Sequence, residues 1–242
     1  MNPSTTREPA IHLQNVCRVY HLAGENIHAV NDVTLDVGPG VMTAIVGRSG
    51  SGKTTLLNLI AGLDDPTGGT ITVLGRGLHT MNERERLDLR LHKLGFIFQS
   101  FGLMPLLSAR ENIGVPLRMR GLPSHEREDR VDAALEWVGL SERAHHRPYE
   151  LSGGEQQRVA IARAIAEGAD LVLADEPTGQ LDTRTGRRIL DLLRRLVTER
   201  GITLLIATHD PQVMAEADIV HEMRDGKLIA TRVRDQVKGV DR

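Results

Sequence analysis

A short apolar run, a glycine-rich loop and a helix-forming stretch follow one another between Val41 and Gly62. The run from Val41 to Val46 is rich in β-branched residues, which is typical of a buried strand. It leads into GRSGSGKT, residues 47–54, which matches the pattern G-x-x-x-x-G-K-[ST] at every fixed position. The apolar residues of LLNLIA then predict a helix that begins at Lys53 and stops before Gly62. Together these features predict a phosphate-binding loop between a buried strand and a helix.

The residue types of this loop suit a nucleotide polyphosphate. Glycines let backbone N–H groups turn inward to surround an anion, and the helix adds its positive N-terminal end. Lys53 can reach the β- and γ-phosphates, and the Thr54 hydroxyl can ligate Mg²⁺. An ordinary Gly/Ser turn before a helix is the alternative, but the flanking strand and helix disfavour it. The predicted phosphate-contacting residues are Gly47, Arg48, Ser49, Gly50, Ser51, Gly52, Lys53, Thr54 and Thr55.

Composition limits the possible partners. The chain has 30 Lys and Arg against 32 Asp and Glu, a net charge of −2, so no nucleic-acid partner is predicted. Cys17 is the only cysteine, which rules out an internal disulfide and favours a reducing compartment. No apolar run reaches the roughly 18–20 residues that cross a bilayer, and the polar first nine residues lack the apolar core of a signal peptide. Membrane association is therefore expected only through a partner.

Strand and helix patterns alternate along the chain, on either side of a long helical stretch at about 81–167. Within that stretch, Ser108 and Glu111 form a predicted capping box, and apolar spacing predicts an amphipathic helix that ends at Gly139. The helix predicted at 185–200 ends at a glycine. Strands are predicted at 11–16, 27–37, 41–46, 69–74, 171–174, 202–207, 218–223 and 227–231, with Tyr20 in the loop between the first two. This alternation predicts an α/β core with a helical subdomain.

A second motif lies far downstream of the phosphate loop. Residues 151–158 read LSGGEQQR, and the apolar run Leu171–Ala174 leads directly into Asp175 and Glu176. With the phosphate loop, these features resemble the nucleotide-binding ATPase of ABC transporters over roughly residues 11–231. LSGGEQQR carries most of the specificity, because other phosphate-loop enzymes lack it.

The resemblance implies a fold and its boundaries. The fold is a phosphate-loop NTPase core on a RecA-like parallel sheet, with an N-terminal antiparallel β subdomain and an inserted helical subdomain. Residues 1–10 are expected to be a loose segment, 11–231 the ATPase domain with its helical subdomain at about 81–167, and 232–242 a polar tail.

The resemblance also implies which residues bind ATP and Mg²⁺. Tyr20 matches the aromatic residue that stacks on adenine. Gln99, in GFIFQSF, matches the glutamine that touches Mg²⁺ and water, and Asp175 matches the aspartate that holds Mg²⁺. The predicted metal ligands are Thr54, Gln99 and Asp175. An aspartate at the carboxyl end of a strand beside the phosphate loop is well placed for this role.

The resemblance places the hydrolytic residues close by. Glu176 matches the catalytic glutamate that orients or deprotonates water, and His209, in THD, matches the switch histidine. Asp182 lies in the D-loop. Ser152, Gly153 and Gly154 precede a helix and form a second predicted anion site. Gln180 stands where the branch of the family that this chain resembles usually has Asn, and because the side chain keeps its amide, the D-loop geometry is expected to tolerate it.

Partners follow from the same resemblance. A second ATPase subunit is expected, as a homodimer, although the sequence leaves a heterodimer open. The other expected partner is an integral-membrane permease that holds the chain at the cytoplasmic face of the cell membrane.

Four stretches resemble the lipoprotein-release, macrolide-efflux and cell-division branch of the ABC ATPases. They are residues 47–69, 95–117, 145–164 and 173–182. In the cell-division subtype no substrate moves. The alternative is a soluble ABC ATPase without a transport role, but such proteins carry tandem ATPase domains or long inserts that this sequence lacks.

Overall fold

The computed structural model describes residues 8–22 and 24–234 as strands and helices joined by short loops. The strands are β1 (Ile11–Leu22), β2 (Glu25–Val37), β3 (Met42–Val46), β4 (Gly68–Val73), β5 (Arg76–Gly77), β6 (Leu94–Ile97), β7 (Leu171–Asp175), β8 (Thr203–Thr208), β9 (Ile219–Arg224) and β10 (Lys227–Val233). The helices are α1 (Lys53–Ile60), α2 (Glu83–Lys93), α3 (Ala109–Met119), α4 (Ser124–Trp137), α5 (Gly153–Ile165), α6 (Thr183–Arg200) and α7 (Pro211–Glu216).

These strands form two sheets. The central sheet has six strands in the order β10-β9-β3-β8-β7-β6, and all are parallel except β10, which pairs antiparallel with β9. The second sheet is antiparallel, in the order β2-β1-β4-β5. The predicted α/β class, with a parallel core sheet and an N-terminal antiparallel subdomain, is therefore confirmed.

The central sheet separates two apolar cores. Successive side chains of a strand point to opposite faces. Ala44 and Val46 accordingly pack into the core beneath α3–α7, whereas Ile45 faces the core shared by α1 and the antiparallel sheet. Both faces of β3 and β8 are buried, which explains why their sequences are continuously apolar or β-branched.

The carboxyl ends of three central strands meet at one edge. β8 lies between β3 and β7, with Val46 opposite Thr208 and Asp175 opposite Ala207. The glycine loop after β3 therefore lies beside the residues that follow β7 and β8. Ligands of open α/β sheets bind at such an edge, where sequentially distant strands come together.

Three helices, α3, α4 and α5, pack against one another beside the sheet. α3 begins with the predicted capping box of Ser108 and Glu111, and α5 begins with a further one formed by Ser152 and Glu155. The expectation that residues 81–167 are largely helical is wrong at β6, which pairs with β7 at the edge of the central sheet. Gly95 allows α5 to pack there, since a Cβ on it would lie 2.4 Å from the Ala164 carbonyl oxygen.

The ends of the described chain are more ordered than the sequence suggested. The predicted loose segment includes Ala10, but Ala10 is buried, its N–H donates to the Val37 carbonyl and its carbonyl accepts from the Leu74 N–H. The last predicted strand, 227–231, also extends further than predicted: β10 runs through Val233, so Arg232 and Val233 do not belong to a tail. Residues 1–7 and 235–242 lie outside the described residues. Within the described ranges, no helix has the length and apolar character needed to cross a membrane.

Candidate nucleotide-binding site

The glycine loop has the conformation that its residues predicted. Gly52 has φ of 103°, and a Cβ there would lie 2.0 Å from the Ala29 carbonyl oxygen, so both the backbone and the space require glycine. α1 begins at Lys53 as predicted, and no side chain caps its N-terminus. The first-turn N–H groups therefore remain available to an anion at the positive end of the helix.

Lys53 lies inside the loop. Its Nζ donates to the carbonyl oxygens of Gly47 at 2.8 Å and Arg48 at 3.1 Å, and the residue is only 7% exposed. The same nitrogen is 4.0 Å from Oε1 of Glu176. The buried Lys53 ammonium lies between the glycine loop and the Glu176 carboxylate. When a nucleotide binds, it can give up these contacts and bind phosphate oxygens instead.

Thr54 and Asp175 join the loop to the end of β7. The Thr54 hydroxyl donates to Oδ2 of Asp175 at 2.8 Å, while Oδ1 of Asp175 is buried and has no hydrogen-bond partner among the described residues. Burial raises the pKa of the Asp175 carboxyl above its ordinary value, and the Thr54 hydrogen bond opposes that rise. An unpartnered buried oxygen beside a hydroxyl is the type of donor set that a hard divalent cation prefers.

Glu176 is held at both its backbone and its carboxylate. Its Oε2 accepts from the Thr208 hydroxyl at 3.1 Å and from the His209 N–H at 3.4 Å, and Oε1 lies 2.9 Å from Nδ1 of His209. Its φ of 46° is uncommon for a residue with a Cβ, and its N–H donates to the Ala207 carbonyl. Such strained backbone conformations cluster at functional sites.

Gln99 and His209 line the same cleft as the loop. Lys53, Thr54, Glu176, residues 27–29 of β2 and Asp225 complete its lining. Gln99 follows β6 and is exposed. Its side chain lies close to Gly179, since a Cβ added to that glycine would be 3.5 Å from Nε2 of Gln99. The structure therefore brings together the predicted loop residues, Gln99, Asp175, Glu176 and His209.

Tyr20 lies in β1 rather than in the predicted loop, because the β1–β2 hairpin continues to the pair Leu22–Glu25. Its hydroxyl donates to Oδ2 of Asp64 at 2.7 Å, and the Arg18 guanidinium carbon lies 4.6 Å from its ring centroid. Among the described residues, Tyr20 does not line the cleft, but its cross-strand neighbour Ile27 does.

Ser152, Gly153 and Gly154 begin α5 and do not line the cleft at their own chain's phosphate loop. The Ser152 hydroxyl donates to Glu155 at 2.8 Å, and a Cβ on Gly154 would lie 2.4 Å from Cγ2 of Thr185. Asp182 caps α6 and accepts from the N–H groups of Arg184 and Thr185 at 3.0 Å. The predicted second anion site and the D-loop are thus neighbours.

Sequence reasoning missed Thr208. This residue is completely buried, donates to Glu176 and accepts from the Asp210 N–H at 3.0 Å. The signal available in the sequence was its place directly before His209 in THD at the end of an apolar strand. Only the pairing of β7 with β8 shows that its hydroxyl reaches Glu176.

The site combines an uncapped helix N-terminus at a glycine loop with a lysine and two carboxylates at one edge of a parallel sheet. This combination defines a phosphate-loop nucleotide-binding protein. The sequence signature of the ABC transporter family matches residues 30–179. The chain belongs to this family, as one of its ATP-binding proteins.

Similar proteins of known sequence point the same way. The chain is 44% identical over 227 residues to an uncharacterized ABC transporter ATP-binding protein of Thermotoga maritima, covering 94% of this chain and 97% of that protein. It is 42% identical over 228 residues to the macrolide export ATP-binding/permease protein MacB of Brucella melitensis. That match covers 94% of this chain but only 35% of MacB.

Solved structures share the fold. The ATP-binding cassette MJ0796, solved as a dimer in a post-hydrolysis state with ADP and Pi, superposes with a TM-score of 0.86 at 38% identity. The match covers 93% of this chain and 98% of that one. CbiO1 from Clostridium perfringens, part of the ABC transporter complex CbiONQ, has a TM-score of 0.86 at 27% identity and covers 97% of this chain and 92% of its own.

Proposed function

We propose that this chain is the ATP-hydrolysing subunit that powers a separate integral-membrane permease. The observation that carries the proposal is the position of Glu176, whose carboxylate lies in one cleft with the phosphate loop and 4.0 Å from Nζ of Lys53. This arrangement supports a general base held next to the γ-phosphate of a bound nucleotide.

In the proposed reaction, a water oxygen forms a bond to the γ-phosphorus as the bond from that phosphorus to the ADP oxygen breaks. Glu176 accepts the proton of the water, and ADP leaves with the electron pair. Lys53 and the N–H groups of α1 stabilise negative charge on the phosphates. His209, whose Nδ1 contacts Glu176, lines the cleft and offers a further donor for that charge.

Mg²⁺ fits the oxygen donors of this site. The Thr54 hydroxyl, the Asp175 carboxylate with its unpartnered Oδ1, and the Gln99 side chain would hold it. When bound, Mg²⁺ neutralises charge on the β- and γ-phosphate oxygens. Tyr20 is proposed to stack on the adenine ring, and support comes from its pairing with Ile27 at the rim of the cleft.

Two copies of the chain are proposed to close on ATP, as a homodimer. Ser152, Gly153 and Gly154 form an anion-binding helix N-terminus that does not line its own chain's cleft. A second copy facing the first in the opposite direction can place these residues against the γ-phosphate. MJ0796, which shares the fold, has been solved as a dimer.

The permease is proposed to dock on the apolar loop 101–107 beside the helices α3–α5. Leu106 is 80% exposed and Met104 48%, which is costly unless a partner covers them. The loop follows Gln99, so a change at the γ-phosphate can move it relative to the sheet. This docking places the chain at the cytoplasmic face of the membrane. The relatives support the lipoprotein-release, macrolide-efflux and cell-division branch.

Replacing Glu176 with Gln tests the proposal. The variant keeps the size and reach of the side chain but loses its basicity, so we expect ATP to bind and turnover to fall about 10²–10⁴-fold. Removing one negative charge also favours closure, so the variant is expected to form a stable dimer with ATP. Turnover and sedimentation are measured with Glu142→Gln, an exposed position, as the control. Hydrolysis by Glu176→Gln at the wild-type rate would show that another group is the base.

A further inference from the structure

Thr208 contacts the Glu176 carboxylate from inside the protein. It is the last residue of β8 and is 0% exposed. Its Oγ1 accepts from the Asp210 N–H at 3.0 Å and donates to Oε2 of Glu176 at 3.1 Å. A hydroxyl has a single hydrogen. The hydroxyl oxygen acts as the acceptor toward the Asp210 N–H, so its hydrogen is left to donate to the Glu176 carboxylate.

The group that orients this hydroxyl is itself fixed. Asp210 accepts from the Thr178 hydroxyl at 2.8 Å through Oδ2 and from the Gln212 N–H at 2.8 Å through Oδ1. Thr178 is buried and lies two residues after Glu176 on the segment that follows β7. The hydrogen bonds therefore tie the segment after β7 to the segment after β8.

The other contacts of the carboxylate are weaker restraints. His209 reaches Oε1 through Nδ1, but its side chain is 69% exposed and can turn toward a ligand. The His209 N–H lies at the long distance of 3.4 Å from Oε2. Thr208 is thus the one fully buried side chain among the described residues that holds the Glu176 carboxylate by a hydrogen bond.

We infer that Thr208 is a positioning residue for ATP hydrolysis, whose hydroxyl sets the orientation of the Glu176 carboxylate toward the attacking water. Thr208 is fully buried and, among the described residues, is not part of the cleft lining, so its effect is exerted through Glu176. This inference rests on the proposed role of Glu176 as the general base. A base displaced by about 1 Å can cost about 10²-fold in rate, so the effect is expected on turnover rather than on nucleotide binding.

Three variants test the inference by steady-state ATPase kinetics and thermal unfolding. Thr208→Val removes the hydroxyl and nearly keeps the shape, and Thr208→Ser keeps the hydroxyl and removes the methyl. Thr203→Val is the matched control: Thr203 begins the same strand, is 2% exposed, and accepts the Gly40 N–H at 2.9 Å. Like Thr208→Val, it leaves one backbone N–H without its partner.

We expect Thr208→Val to lower kcat about 10–100-fold with KM within about twofold of wild type. Thr208→Ser should restore kcat to within about threefold of wild type. Thr203→Val should lower the unfolding temperature to a similar extent as Thr208→Val and leave kcat unchanged. Should Thr208→Val not fold, Thr208→Ala provides the same comparison with Thr208→Ser.

Three results would overturn the inference: a wild-type kcat in the hydroxyl-free variant, an equal loss in Thr208→Ser, or an equal loss in Thr203→Val. The Glu176→Gln variant separates the two proposals. If it is inactive while Thr208→Val turns over at the wild-type rate, only the positioning role fails. If Glu176→Gln keeps wild-type turnover, the proposed base fails first, and the positioning role fails with it.

Discussion

The Thr54 hydroxyl donates to Oδ2 of Asp175 at 2.8 Å, across a separation of 121 residues. Thr54 lies in the first turn of α1, directly after the glycine loop, and Asp175 is the last residue of β7. This hydrogen bond joins the two segments that are proposed to share a Mg²⁺ ion, and it leaves the second Asp175 oxygen buried and unpartnered. The pair therefore offers a compact set of oxygen donors for such an ion.

Thr54→Val should weaken binding of ATP only when Mg²⁺ is present. The variant loses a hydroxyl donor to the metal but keeps the loop backbone and Lys53. We expect about a tenfold loss of affinity for ATP with Mg²⁺, corresponding to about 1.4 kcal/mol, and little change with a chelator. Fluorescent-nucleotide titrations under both conditions measure this, with the exposed Thr198→Val as control. An equal loss in both conditions would mean that Thr54 serves the loop and not the metal.

Arg18→Ala should weaken ATP binding only through Tyr20. Arg18 stacks on the Tyr20 ring at 4.6 Å and bonds Asp64 at 3.0 Å, the same carboxylate that accepts the Tyr20 hydroxyl. A cation over an aromatic face contributes about 0.5–1 kcal/mol, so a two- to fivefold loss of affinity is expected. In a Tyr20→Ala background the same substitution should have no further effect. Additive losses would contradict this coupling, and Arg76→Ala serves as the control.

Charged residues at Leu103 and Leu106 should uncouple the permease from the ATPase. Leu106→Glu and Leu103→Glu place a carboxylate in the proposed apolar docking loop, where burial against a partner is unfavourable. We expect permease binding to be lost in pull-down experiments, while ATP turnover of the isolated Leu106→Glu variant stays within about twofold. Leu103 also packs against the core, so Leu103→Glu is compared with wild type at an equal folded fraction. Met119→Glu, at a 61% exposed position outside the loop, is the matched control. Retained assembly of both loop variants would refute the placement and show that the permease binds another surface of the chain.

Glu167→Gln should stabilise the protein above neutral pH. Glu167 is buried, and burial raises the pKa of its carboxyl from 4.5 to about 7 against the opposing influence of Arg120 and Arg130. The folded state therefore binds this proton more tightly than the unfolded state does. The resulting stability is present below about pH 4.5 and is lost as the pH rises to about 7.

Denaturant unfolding at pH 5.5 and pH 8 measures that difference. The gain in Glu167→Gln relative to wild type should increase with pH and reach at most about 3 kcal/mol at pH 8. Glu136→Gln, an exposed position on α4, should show no such trend. A gain that is the same at both pH values would mean that the Glu167 carboxyl titrates normally in the folded protein.

Elements with strong local signals could be predicted from the sequence. α1 begins at Lys53 because the glycine loop and the apolar spacing after it lie within one stretch of chain. The capping box of Ser108 and Glu111 likewise needs only four consecutive residues, and the structure contains it. Family resemblance supplied the candidate roles of Gln99, Glu176 and His209, and the structure places these three in one cleft.

Tertiary structure decided what depends on pairing between distant segments. β6 is four residues long and directly follows α2, so no local signal marks it, and its stability comes from pairing with β7. The Tyr20 hydroxyl could not be assigned to Asp64 without the packing of the hairpin against the loop that follows α1. The hydrogen bond from Thr208 to Glu176 exists because β8 lies beside β7. Residue types and short spacings determine local conformation and general chemistry, whereas the partner of each buried polar atom depends on which strands become neighbours when the chain folds.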